Sequence, residues 1–220
     1  MKAFKPAAIV GLFLLSTLPA VAQMGLGRES IPSGIFNPVV GGGAVYESDL
    51  GNGRKTTLEM AIVGKQAVNG KDGYWIEVTM SGTPMGDLVV KTLAVVTDGN
   101  LVTSKTIMQL PGRPPMEMPA QMQAANGQVN LADIRTKSDD LGTESVTTPA
   151  GTFTCHHYRM KDGSGDSWVS ESVRPFGLVK NEDKGSSMVL MKTLTDVKDK
   201  VTGTPQPFNP MMMMPQQPSH

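Results

Sequence analysis

The chain has 220 residues, 20 basic against 20 acidic, and one cysteine. A charge balance this neutral, with no clustered basic face and no basic amphipathic stretch, excludes electrostatic binding to nucleic acid or to a membrane surface. A lone cysteine excludes an intramolecular disulfide, so packing alone has to hold the fold.

At the N-terminus Lys2 and Lys5 precede an uncharged apolar run, Ala7 to Leu18. Pro19 breaks the run, and Ala20-Val21-Ala22 puts small residues before Gln23. This is the layout of a cleavable secretory signal, and the run is too short to span a bilayer. Cleavage near Ala22 predicts a soluble periplasmic or secreted protein with no transmembrane span left. No cysteine follows the cleavage point, so the usual acceptor for an N-terminal lipid is missing. Residues 1–22 read as a signal peptide, and residues 23–43, rich in Gly, Pro and Ser, read as a flexible leader.

Residues 44–201 carry the pattern of a β domain. Turn dipeptides recur at Asn69-Gly70, Asp72-Gly73, Asp98-Gly99, Asn126-Gly127 and Asp162-Gly163, where positive φ suits a tight hairpin. The runs between them are rich in β-branched and aromatic residues. Lys55–Val63 and Tyr74–Met80 predict one strand pair, and Leu88–Thr97 and Leu101–Gln109 predict a second. Thr152–Met160, Ser167–Ser170, Leu178–Asn181 and Ser187–Val197 predict further strands. Ala120–Ala125 has good helix formers, and Asn130 is a candidate cap for a turn or two over Asn130–Lys137. The predicted class is mainly β: a curved antiparallel sheet or unclosed β-barrel with one or two short helices. Residues 202–220 hold Pro205, Pro207, Pro210 and Pro215 and read as a disordered Pro/Met-rich tail.

The chemistry-bearing residues are few. Asp139-Asp140 and Glu182-Asp183 are neighbours, and side chains next to each other on a strand face opposite ways, so neither pair is a carboxylate dyad. After Ala22 the histidines are His156, His157 and His220. No G-x-S-x-G elbow and no phosphate-binding G-x-x-x-x-G-K-[ST] loop is present. Cys155 and His157 share a strand face and are the candidates for a Cys–His hydrolase, but nothing in the sequence orients the ring. The ordinary role of Cys155 is a small buried apolar side chain. Copper is the stronger chemical alternative. Cys155 and His157, with Met211, Met212, Met213 and Met214, offer the soft ligands that Cu(I) takes, although no zinc-type spacing exists. The leading expectation names no catalytic residue, no resident metal and no cofactor.

Methionine is abundant, and flexible thioethers suit surfaces that accept varied apolar partners. In residues 111–122, Pro111, Pro114, Pro115 and Pro119 predict a stiff loop that interrupts the strands and exposes Met116, Met118 and Met122 as a candidate lid or arm.

The stretch Val146–Lys180 contains Pro149-Ala150-Gly151-Thr152-Phe153, then Trp168-Val169-Ser170, then Pro175-Phe176-Gly177-Leu178-Val179-Lys180. In this order the elements resemble the C-terminal half of exported bacterial proteins of the lipoprotein-carrier superfamily. The resemblance implies an unclosed β-barrel around a helix or lid, with an apolar cavity for acyl chains. It carries over no ligand-binding residue. The resulting expectation is a non-enzymatic periplasmic binding or carrier protein for lipid, a lipoprotein acyl chain or a hydrophobic peptide.

Overall fold

A computed structural model describes residues 36–49, 51, 55–83, 86–97, 100–119, 129–130 and 137–210. Among these, the strands form one 13-stranded sheet. The N-terminal strands are β1 (Gly43–Asp49), β2 (Lys55–Val68), β3 (Lys71–Ser81), β4 (Leu88–Thr97), β5 (Asn100–Gln109), β6 (Met116–Glu117) and β7 (Val129–Asn130). The C-terminal strands are β8 (Ser138–Thr148), β9 (Gly151–Met160), β10 (Gly165–Val169), β11 (Leu178–Asp183), β12 (Ser186–Leu194) and β13 (Gln206–Pro207). The order is β13-β6-β5-β4-β3-β2-β1-β12-β11-β10-β9-β8, with β7 beside β5. The sheet is open and not closed into a barrel, as the sequence predicts. Two antiparallel meanders, β1–β6 and β8–β12, are thus joined where β1 pairs with β12.

Local sequence explains the regular parts. In β2, Leu58, Met60 and Ile62 alternate with Thr57, Glu59 and Ala61, and the first set is buried in the main core. Asn69 and Gly70 take φ of 49° and 77°, the pair of positive values that a two-residue hairpin turn needs. Asp72-Gly73 is not a turn. Gly73 lies inside β3 opposite Gln66 and Val95, where a Cβ would sit 2.8 Å from the Gln66 carbonyl oxygen. The turn at Asp162-Gly163 holds, with Gly163 at φ 69° and its N–H donating to the Met160 carbonyl at 2.8 Å.

Several expectations are corrected. The leader does not run free to residue 43. Phe36 packs its ring 5.2 Å from that of Phe176 and 5.9 Å from that of Tyr74, and the Asn37 amide donates to the Pro175 carbonyl at 2.9 Å. Asp139 and Asp140 belong to an edge strand, β8, and are exposed there. The helical segments expected at Ala120–Ala125 and Asn130–Lys137 fall mostly outside the described residues, and Val129–Asn130 pair with β5.

The Pro-rich stretch is not an exposed lid. The chain turns at Leu110–Arg113, and β6 returns along β5 with Met116 opposite Met108. Met116 is 0 % exposed and Met118 5 %, whereas Met122 lies outside the described residues. Prolines remove N–H donors but do not stop a short edge strand, and the apolar thioethers gain by turning inward.

Nor does the ordered chain stop at residue 201. Residues 195–208 cross the first meander as a strap. The Val197 amide donates to the Gly41 carbonyl at 3.0 Å and the Gln206 amide to the Pro115 carbonyl at 2.8 Å. The strap ends in β13, parallel to β6, and Phe208 packs on the core. Pro207 is accommodated because β13 is an edge strand that needs no donor on its outer side. Met211–Met214 lie outside the described residues.

Candidate functional site

Two surfaces carry the chemistry expected from the sequence. The first is the apolar inner face of the first meander. In-register pairing places Ala44, Met60, Val78, Val90, Met108 and Met116 in one row across β1 to β6. A second row runs through Tyr46, Leu58, Met80 and Leu88. All but Val90, which is half-buried, belong to the buried set. Adjacent side chains in such rows stand about 5 Å apart, so each row is a continuous apolar ridge. Val173 and Phe176, from the segment between β10 and β11, pack on the same core.

The second surface is the site around Cys155 and His157 on β9. Cys155 is fully buried, and its Sγ donates weakly to the Phe153 carbonyl at 3.7 Å. Burial, with a smaller contribution from the Glu144 charge, pushes the thiol up to about 11, the opposite of an activated thiolate. His157 is held on both ring nitrogens: Nδ1 lies 3.1 Å from Glu144 Oε1, and Nε2 lies 2.6 Å from Asp166 Oδ1. Its ring stacks on Trp168 at 4.5 Å and 21°. Register explains the group, because Trp168 is paired with His157 on β9 and with Lys180 on β11, and cross-strand partners share a face. Lys180 Nζ sits 4.7 Å from the Trp168 ring centre, and Trp168 Nε1 donates to Glu144 Oε1. Burial tends to raise the Asp166 carboxyl, but hydrogen bonds from His157 and Arg159 outweigh it and hold the group below its ordinary value.

This arrangement leaves no nucleophile–base pair. The thiol points into the core, and the imidazole is engaged by two carboxylates, so the Cys–His hydrolase reading has no geometry to work with. The copper reading loses the same two residues, because Cys155 and His157 are each bonded elsewhere. Its four terminal methionines lie outside the described residues. No group of three or more His, Cys, Asp or Glu among the described residues is placed to hold a metal ion.

The sequence singles out His157 but not the carboxylates that hold it. Glu144 and Asp166 lie on different strands, and their convergence depends on the β8–β9 and β9–β10 registers. A signal did exist: an Asp162-Gly163 turn pairs Trp168 with His157 if Asp166 faces Arg159.

No protein-family model matches the chain, and no curated protein matches it. Two solved structures are similar in shape. One is a candidate exported protein with a YmcC-like fold from Bacteroides fragilis NCTC 9343, 14% identical, with a TM-score of 0.41, covering 72% of this chain and 97% of that one. The other is a candidate lipoprotein from Parabacteroides distasonis ATCC 8503, 15% identical, with a TM-score of 0.37, covering 74% of this chain and 99% of that one. Likenesses at this level fix neither a family nor a function. Among the described residues no helix is long and apolar enough to cross a membrane.

Proposed function

We propose that this chain is an exported, non-enzymatic binding or carrier protein that takes up an apolar ligand (lipid, a lipoprotein acyl chain or a hydrophobic peptide) on the inner face of its open sheet. The observation that carries the reading is the pair of in-register apolar rows on β1–β6, with Met60, Met80, Met108 and Met116 among them. These side chains are packed together, so a ligand enters by displacing them. Unbranched thioethers repack at lower cost than branched side chains, which suits such entry. The signal-like N-terminus supports export, and the absence of a usable Cys155–His157 pair supports binding rather than catalysis.

The resemblance of Val146–Lys180 to the lipoprotein-carrier superfamily supports the same reading, and its residues have architectural roles here. Gly151 takes φ of 129° in the β8–β9 turn, where the Ala150 amide donates to Thr148 Oγ1 at 3.2 Å. Gly177 takes φ of 72°, and its amide donates to the Val173 carbonyl at 2.9 Å, which folds the segment carrying Phe176 onto the core.

The test is titration of a fluorescent fatty acid into purified protein, with native mass spectrometry after incubation in envelope extract. Saturable uptake is expected, weakened by Met80→Ala or Met108→Ala and untouched by His157→Ala. Recovery of apo protein only, with no uptake of the probe, overturns the proposal.

A further inference from the structure

The outer face of the first meander holds a second polar cluster, beneath the strap. Residues Ile76 and Val78 of β3 face the core, so Glu77 between them faces outward. It is nevertheless only 2 % exposed, because residues 195–208 lie over it. Both carboxyl oxygens of Glu77 accept from the Lys200 backbone amide, at 3.3 and 3.1 Å. Asp199, the preceding residue of the strap, is the neighbouring carboxylate that acts on the same carboxyl.

The charges around the pair are few. From β4, Lys91 Nζ bonds Asp199 and sits 4.7 Å from the Trp75 ring centre. From β2, Glu59 takes the Lys200 ammonium at 2.7 Å, and that ammonium also reaches Thr79 Oγ1 at 3.3 Å. Farther along, Gln109 reads the strap backbone: its Oε1 accepts from the Thr202 amide at 3.0 Å, and its Nε2 donates to the Thr202 carbonyl at 3.4 Å.

We propose that residues 195–208 form a proton-dependent strap: protonated Glu77, buried under it and bonded to its backbone, holds it down, and ionised Glu77 lets it go. Burial foremost, with the neighbouring Asp199, pushes the Glu77 carboxyl up to about 7 from 4.5, while the Lys200 amide and charge work against the rise. For Asp199, burial acts upward, but hydrogen bonds from Lys91 and the Val201 amide, with the Lys91 charge, hold the group below its ordinary value, so it stays charged throughout. The sign follows from proton counting. The docked strap keeps a proton that a released strap gives up, so docking is strongest at acid pH. It weakens as pH rises from about 4.5 and is weakest above about 7. Release frees β6, the edge now paired with β13. This device lies on the face opposite the apolar rows and does not depend on the ligand proposal.

Hydrogen exchange on the purified full chain tests it, with rates corrected for the intrinsic pH dependence of exchange. Protection of the Lys200 and Thr202 amides is expected to fall up to about tenfold per pH unit between pH 4.5 and 7 and then level off. Amides of β9 and β10 should hold steady, which separates strap release from global unfolding. In Glu77→Gln, whose amide oxygen still accepts from the Lys200 amide and which does not titrate, strap protection should be flat with pH. A flat profile in the unmodified chain, or a retained slope in Glu77→Gln, overturns the proposal. If Glu77→Gln loses β9 and β10 protection, Asp199→Asn serves. Removing the neighbouring carboxylate should shrink the total loss of protection, and an unchanged profile overturns the proposal equally.

Discussion

Tyr46 shows how a single polar atom is managed inside an apolar sheet. The residue is buried, in register with Leu58 and Leu190, and its hydroxyl donates to the Leu178 carbonyl at 3.0 Å, which ties β1 to the start of β11. Burial raises the phenol well above its ordinary value, so it remains a neutral donor. Tyr46→Phe keeps the ring but removes this hydrogen bond, and it should cost about 0.5–1.5 kcal/mol by urea denaturation, the usual net worth of such a bond. An unchanged midpoint would mean that water replaces the hydroxyl. Cys155 makes the opposite case. With its thiol pushed up to about 11 from 9.0, chiefly by burial, thiolate scarcity alone should slow reaction with a disulfide reagent at pH 8 about a hundredfold in the native protein. Equal rates in native and urea-unfolded protein would show that the thiol is not buried. His157 stands between these two: the sequence shows an imidazole near a thiol, but only Glu144 and Asp166 reveal where its nitrogens are spent.

Among the elements, the strap departs furthest from what composition suggests. Pro205 and Pro207 in a polar stretch read as disorder, yet residues 195–208 are fixed by side chains of the sheet they cross, Glu77 and Gln109, and by the Pro115 carbonyl. Extended backbone of this kind needs no intrinsic propensity, because partners already held in place satisfy its donors. Ending the chain after Val201 removes the Thr202 and Gln206 hydrogen bonds and the packing of Phe208, and it uncovers Pro115 and Met116. Phe208 is half-buried, so its packing is worth less than the about 1.5–3 kcal/mol of a fully buried side chain, and each kcal/mol moves Tm by about 2–4 °C in a chain of this size. A drop of several degrees in calorimetry is therefore expected, and an unchanged Tm would show that the strap adds nothing. The far edge of the sheet is protected differently. β8 bears the exposed acids Asp139, Asp140 and Glu144, and its register shifts between Asp140 and Thr143, both of which discourage another strand from pairing there.

At the scale of the whole molecule, the pairing of Gly43–Asp49 with Ser187–Leu194 makes one sheet of two meanders. Tyr46 and Leu190 face each other at that seam, fully buried, so neither meander keeps its core if the other unfolds. Unfolding should be one transition. Trp75 lies in β3 and Trp168 in β10, so Trp75→Phe and Trp168→Phe each leave one fluorescent reporter per meander. The fluorescence midpoint of each variant should coincide with its own circular-dichroism midpoint; a split between them would show that the meanders are separable. Much of this was legible beforehand: β4 was expected at its observed bounds, the Asn69-Gly70 hairpin turn at its observed place, and the unclosed mainly-β class throughout. Those features rest on side-chain alternation and on φ at single residues, which act between neighbours in the chain. The strands β1 and β8, the burial of Met116, the docking of residues 195–208 and the carboxylates on His157 were not legible. Alternation tells a strand that it has two faces, but not which distant strand will lie beside it. That choice falls to the sum of apolar area buried and donors satisfied across the finished sheet, and only the tertiary structure makes it.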